Sequence, residues 1–195
     1  EHRDGKLEQV SFELLSEARR LAAAKNIEVA VVLMGDGVSR FVSELSTHGV
    51  KRVFIADDTR LLRYDPGVWL ATITRLCQSQ KPDLFLLPAT SSGEDLAARL
   101  SVEQNWPLVS RCDKVKKMGD VLEATRSIHS GKLQESTKCL GMSPYLVTVL
   151  PGVIGIRRTA EDEQVAIETL EIVIPPNPVV RVTGFVAADP ALMSV

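Results

Sequence analysis

Cysteine and histidine are scarce in this chain, at three residues each in 195. Cys77, Cys112 and Cys139 lie far apart and form neither a paired C-x-x-C metal site nor the even framework of a small secreted domain. They read as reduced structural thiols. His2, His48 and His129 have no second histidine or carboxylate at metal-ligand spacing, which argues against a zinc or iron site. Charge of one sign is also missing: 23 Lys+Arg face 25 Asp+Glu, a net charge of −2. Without a basic field to hold phosphates, nucleic-acid or membrane-surface binding is not expected as a main role. The longest apolar runs, such as Val29 to Met34, are strand-sized and fall well short of the ~20 residues that span a bilayer, so no membrane insertion is expected. The chain opens on Glu1-His2-Arg3-Asp4, without a basic and then apolar leader, and the expected compartment is the cytoplasm unless a leader has been removed.

What is present suits one globular domain over residues 1–195, since a chain of this length buries roughly 70% of the surface its unfolded form exposes. Over residues 1–106, strand and helix patterns alternate. Val10 to Lys25 carries Leu14, Leu15, Ala18, Leu21 and Ala22 at helical spacing, with Glu13, Glu17, Arg19 and Arg20 between them. Glu28 to Met34 is a strand, Val38 to Leu45 a helix closed by Gly49, and Arg52 to Ala56 a strand that ends on Asp57-Asp58. Asp65-Pro66 caps a third helix, and Trp69, Leu70, Ile73, Leu76 and Cys77 are its buried stripe. The strand Leu84 to Leu87 stops at Pro88, and Glu94 to Gln104 is a fourth helix.

Residues 107–195 are rich in strands: Leu108 to Val115, Val121 to Ile128, Lys132 to Cys139, Tyr145 to Leu150, Val165 to Ile174 and Val179 to Val186. Turns at Met118-Gly119-Asp120 and Ser130-Gly131 make this half look antiparallel. The fold class is therefore α/β: three layers with a mainly parallel sheet between helices, as in nucleotide-binding folds, and antiparallel strands in the C-terminal half.

Four motifs bear on chemistry. Gly35-Asp36-Gly37 follows a strand, and Asp57 lies roughly 20 residues on, as in a dinucleotide fingerprint. The third glycine position holds Arg40, whose side chain would crowd helix against strand, so a plain connection is the better reading. Thr90-Ser91-Ser92-Gly93 at a strand's carboxyl end combines hydroxyls, free N–H groups and a positive helix end, which favour an anion; serine and threonine also cap helices for structural reasons alone. A hydrolytic triad of His129 with Ser92 or Ser130 and Glu94 or Asp95 lacks the G-x-S-x-G elbow and is set aside. Arg126, before the turn at Gly131, can reach a phosphate, a carboxylate or a flavin edge, or be an exposed strand charge. Residue chemistry alone leads to an α/β binding domain without visible catalytic apparatus.

Several segments, in order, resemble the N-terminal domain of the electron transfer flavoprotein α subunit, particularly the form of anaerobic and nitrogen-fixing bacteria. Glu1 to Leu7 is similar to that family's E-x-x-x-G-K-L turn, and Val53 to Asp58 to its V-x-x-A-D-D strand and turn. Lys81-Pro82-Asp83 and Ala89 to Leu100 follow its K-P-D and A-T-x-x-G-x-D-L-x-x-R-L. Thr125-Arg126 with Gly131 falls on T-R-P-A-F-G-G-N, and Thr148 to Val153 on T-V-R-P-G-V. Ser127, His129, Lys132 and Leu150 depart from the proline, aromatic, asparagine and arginine usual there.

The resemblance implies a subunit of an electron carrier rather than a catalyst with its own active site. It implies a heterodimer with a β subunit, electrons received from flavin dehydrogenases such as acyl-CoA dehydrogenases, and FAD as cofactor, with AMP on the partner subunit. FAD is expected chiefly on a C-terminal domain absent from this chain, with Thr90, Ser91, Ser92, Gly93 and Arg126 as candidate cofactor contacts. The family also has a strand before the E-x-x-x-G-K-L turn, and this chain begins after it. The residues leave open a stand-alone adenine-nucleotide-binding module and a non-redox regulatory relative.

Overall fold

The computed structural model describes residues 1–23, 27–118, 121–141, 144–158, 164–176, 180 and 182–184. The chain opens with a two-stranded hairpin, β1 (His2–Arg3) and β2 (Lys6–Leu7), turned by Asp4 and Gly5 at φ 48° and 76°. Helix α1 (Gln9–Ala23) follows, then strand β3 (Ala30–Gly35). A 3₁₀ turn over Val38–Phe41 leads into the short helix α2 (Val42–Ser46) and strand β4 (Arg52–Asp57). Helix α3 (Pro66–Gln80) begins where sequence places it, because the Asp65 carboxylate accepts the N–H groups of Gly67 and Val68 at 3.0 and 3.1 Å. Strand β5 (Leu84–Pro88) and helix α4 (Ser91–Gln104) complete the alternating half.

The strand-rich half contains β6 (Leu108–Cys112), β7 (Lys114–Met118), β8 (Val121–Ile128), β9 (Leu133–Cys139), β10 (Tyr145–Val149) and β11 (Ala166–Thr169). Among the described residues of this half, only β7-β8-β9 is antiparallel. Strands β6, β10 and β11 return to the parallel layer, as β5-β10-β6 and β11-β4-β3, so the antiparallel strands expected in this half are β7-β8-β9, and β6, β10 and β11 depart from that expectation. All five residues of β10 are buried, the pattern of a central parallel strand covered on both faces rather than the alternation of a half-solvated one.

The final strands also differ from expectation. Leu170 N–H still donates to Ile55 O of β4 at 2.7 Å; beyond it the chain leaves the ladder and lies on α3, where the Val173 N–H donates to Thr72 Oγ1 at 3.0 Å and Ile172 packs with Leu170 against the core. The strand expected over Val179 to Val186 lies mostly outside the described residues, as does the turn at Gly119-Asp120.

Helices cover both faces. One face packs Leu15 of α1 with Leu33, Phe41, Leu45 and Val53. The other packs Ile73 and Cys77 of α3 and Leu96 and Leu100 of α4 against Met34, Leu87 and Leu146. Leu21, further along α1, joins a third cluster with Tyr145, Val147 and Leu122, where the antiparallel sheet meets β10. Helix α1 carries a second packed face that sequence did not show: Glu13 and Glu17, expected between the apolar positions, are only 1% and 4% exposed.

Candidate functional site

In a parallel sheet, ligand sites collect beyond the carboxyl ends of the strands. There Thr90 takes extended backbone angles (φ −97°, ψ 169°), and its Oγ1 accepts the Gly93 N–H at 3.2 Å. Helix α4 therefore starts at Ser91, earlier than the Glu94 start expected, and Ser91 and Ser92 sit in its first turn. Ser91 is exposed, Ser92 half-buried and Gly93 buried. A Cβ on Gly93 would lie 2.0 Å from the Pro88 carbonyl oxygen, so only glycine lets the helix start against the end of β5.

Beside this turn, pairing between β6 and β10 slips by one residue: Val147 faces Val109, but Val149 faces Cys112. The slip places Arg111 at φ 57°, a conformation that costs a non-glycine residue on the order of 1–3 kcal/mol. Its N–H is held by the fully buried Thr148, donating to Oγ1 at 2.7 Å. The Arg111 guanidinium reaches Glu94, in the first turn of α4, at 3.3 and 3.4 Å. Sequence reasoning missed Arg111; the one trace of it is Thr148, a hydroxyl in an otherwise apolar central strand.

Arg126, on β8, reaches the same edge. Its Nε and Nη2 donate to the Glu135 carboxylate at 3.0–3.3 Å, and Nη1 lies 3.5 Å from Ser110 Oγ. Strand β6 thus links the sequence-selected groups: Ser110 meets Arg126, and Arg111 meets Glu94 next to the Thr90 to Gly93 turn.

The other motifs have structural partners. Asp57 accepts the Gly37 N–H at 2.6 Å and the Ser39 N–H and hydroxyl at 2.9 and 2.6 Å, so a carboxylate of the chain itself occupies the place a phosphate takes in a dinucleotide fold. The Ser39 hydroxyl, with the backbone N–H groups, holds the Asp57 carboxyl below its ordinary range. A Cβ on Gly35 would stand 2.3 Å from the His2 ring, which fills the crevice beyond β3. Glu94 is paired with Arg111, and Asp95 with Arg99 and the Tyr64 hydroxyl, so the discarded triad has no free carboxylate. The three thiols are unpaired, and burial pushes Cys77 up to about 12 and Cys112 to about 11.

The Thr90 hydroxyl is taken by its own helix, the Arg126 charge is matched by Glu135, and the remaining rim is open, with Ser91 and Arg111 toward solvent.

The architecture is that of an α/β domain with a parallel sheet between helices and an antiparallel sheet appended to it. A family profile described as the electron transfer flavoprotein domain matches residues 1–174, and the chain belongs to that family. It is 34% identical over 165 residues to the electron transfer flavoprotein subunit alpha of Thermoanaerobacterium thermosaccharolyticum, covering 84% of this chain and 49% of that protein. It is 33% identical over 156 residues to Protein FixB of Clostridium saccharobutylicum, covering 78% and 46%. The acryloyl-CoA reductase electron transfer subunit beta of Anaerotignum propionicum is 26% identical over 197 aligned positions, covering 89% and 53%. The chain spans about half the length of the curated relatives it matches. Among the described residues, no helix is long and apolar enough to cross a membrane.

Proposed function

We propose that this domain is the scaffold and β-subunit-docking part of a flavin electron carrier, which passes electrons from flavin dehydrogenases such as acyl-CoA dehydrogenases to an acceptor. The observation that carries the reading is the family match over residues 1–174. In such a carrier the cofactor does the redox step, and the protein sets its place and potential. FAD is then held chiefly by parts of the complex outside these residues, with AMP on the partner subunit. Arg126 and the Thr90 to Gly93 turn are the contacts this edge offers to the flavin-bearing part.

Docking is assigned to the antiparallel sheet. Met118 and Leu140 lie at one end of it, 57% and 78% exposed, and Leu133 at the other, 56% exposed. Exposed apolar groups on one projecting sheet suit a protein partner. Co-expression of a native-length α chain with its β subunit should give a yellow complex that an acyl-CoA dehydrogenase reduces. A colourless complex sinks the redox reading. Met118→Lys with Leu140→Lys should weaken β-subunit capture at least tenfold while leaving the fold intact; unchanged capture removes this sheet from the interface.

A second reading, an adenine-nucleotide module acting alone, draws on the first turn of α4, with Ser91 exposed, at a strand's carboxyl end. Calorimetry of this chain with AMP and ATP decides it: micromolar binding favours it, and silence ends it.

A further inference from the structure

Strands β7, β8 and β9 pair in register, so residues directly opposite one another share a face of the sheet. Val115, Ala124 and Thr137 form one row, and Lys117, Leu122 and Cys139 the next but one. Val115, Leu122 and Ala124 are buried with Tyr145, Val147 and Val149 of β10, so these rows are turned toward the rest of the domain. The alternate rows are turned away from it: Lys114 with Thr125 and Ser136, Lys116 with Glu123 and Lys138, and Met118 with Val121. Exposure follows the same alternation, since Lys114, Lys116, Met118, Ser136 and Lys138 are exposed and the residues between them are not.

The outer face is mainly of one sign. Five of the chain's nine lysines fall within residues 114–138, in a protein whose net charge is −2. Lys117 is on the inner face, 3.9 Å from Asp83 Oδ1, and Lys132 is in the turn between β8 and β9. Lys114, Lys116 and Lys138 stand on the outer face, and among the described residues no carboxylate pairs with them. Glu123, between Lys116 and Lys138, is the one acid in these rows, and its Oε1 accepts the Ser136 hydroxyl at 2.8 Å. Lysines guard the edges of an open sheet, but charges of either sign do that, and ordinary surfaces intersperse the two. Lys116 and Lys138 are two strand spacings apart, about 10 Å, and Lys114 lies about 7 Å along β7 from Lys116.

We propose that this outer face recognises an acidic strip on the β subunit, with carboxylates over Lys114, Lys116 and Lys138, a hydrogen-bond donor over Glu123 and an apolar side chain over Met118. The inference rests on the reading of this sheet as the docking element and adds what the partner must present to it. A folded protein fits the pattern better than an anionic lipid surface. Glu123 among the cations repels a layer of phosphates, whereas a protein can place a single donor over it. Complementary charge acts chiefly on the rate of encounter and the choice of partner, while burial of Met118 and Leu140 holds the complex once formed.

The test measures the association rate of the native-length α chain with its β subunit at about 0.1 M and about 1 M salt, between which the Debye length falls from ~10 Å to ~3 Å. Three chains are compared: the unaltered one; one with Lys114→Gln, Lys116→Gln and Lys138→Gln; and a control with Lys6→Gln and Arg63→Gln, which are exposed cations of other elements. Glutamine puts no like charge beside Glu123. The outer-face variant should associate about tenfold more slowly than the unaltered chain at the lower salt and within about twofold of it at the higher, and the control should match the unaltered chain at both. Equal association by the outer-face variant, with a native circular dichroism spectrum, overturns the proposal and leaves docking by the sheet standing. A deficit that persists at 1 M salt, or equal slowing by the control, also overturns it, since neither is charge recognition by this face. An unaltered chain that fails to bind the β subunit overturns the docking reading and this inference with it. Cosedimentation with vesicles of phosphatidylcholine and phosphatidylserine is the last arm: lysine-dependent binding to them that exceeds binding to the β subunit assigns the face to a membrane and overturns the proposal.

Discussion

The carboxylate of Glu13, 1% exposed on α1, accepts the Gly152 backbone N–H through Oε2 at 2.8 Å. One helix is thereby tied to the turn that follows the central strand β10. Ser16 extends the tie by accepting the Arg157 N–H at 2.9 Å, and Arg20, paired with Glu17, donates to the Val115 carbonyl. The polar face of α1 thus holds the loops from the strand-rich half in place.

Glu13→Ala leaves the Gly152 N–H without its partner, and a buried unsatisfied group costs about 1–3 kcal/mol. Glu13→Gln keeps an acceptor oxygen and should cost less. Urea unfolding of both variants checks the order.

Gly93→Ala should destabilise by about 1–3 kcal/mol or more, because its Cβ meets the Pro88 carbonyl oxygen at 2.0 Å, a backbone atom that cannot move aside. Gly131→Ala, at φ 82° with nothing within 4 Å, carries only the strain of its backbone conformation, roughly 1 kcal/mol. Thermal melts of the two variants should separate them clearly.

Asp57 adds an acid-side pH dependence. Its carboxyl is held below the ordinary value of 3.8 by the Ser39 hydroxyl and neighbouring N–H groups. A depressed folded-state pKa means that the stabilisation is complete above 3.8 and is lost as pH falls through the lowered value. Asp57→Asn should flatten the stability profile in that window, measured by urea midpoints from neutral pH downward.

The thiols should differ in reactivity. Cys77 is 2% exposed, and burial pushes it up to about 12, whereas Cys139 is only half-buried. A thiol reagent at neutral pH should label Cys139 first and leave Cys77 unmodified until the domain unfolds.

Arg126→Ala removes a two-pronged contact with Glu135 that is about one-third exposed, and the isolated domain should lose less than about 1 kcal/mol. In a native-length complex with the β subunit, the same variant should alter the flavin potential or the transfer rate. Unchanged values would leave Arg126 as a structural pair only.

Helix and strand positions in the first half were legible because each has a local cause. Asp65-Pro66 caps α3, apolar spacing sets its buried stripe, and continuous apolar runs mark β3 and β5. The start of α4 was misplaced because serines suit both a loop and a first turn, and the choice falls to the Thr90 cap and the Gly93 contact with Pro88. The antiparallel reading of the second half held for β7-β8-β9, where short turns link neighbours, and failed for β6, β10 and β11, whose partners are far away in sequence. At the candidate site, Thr90 to Gly93 and Arg126 could be picked out as residue types in context. Arg111 could not, because its role arises from a slip in pairing with β10.

The sequence by itself determined an α/β domain, its helix caps and apolar stripes, and the resemblance that the family match bears out. These depend on near neighbours in the chain, where periodicity and capping act. Only the tertiary structure decided that Glu13 and Glu17 are buried ties, that Arg126 reaches Ser110 of β6 while the neighbouring Arg111 reaches Glu94, and that His2 lies against Gly35 at the end of β3. Each depends on which distant segments share an edge, and strand order is set by the packing of whole layers rather than by any local pattern.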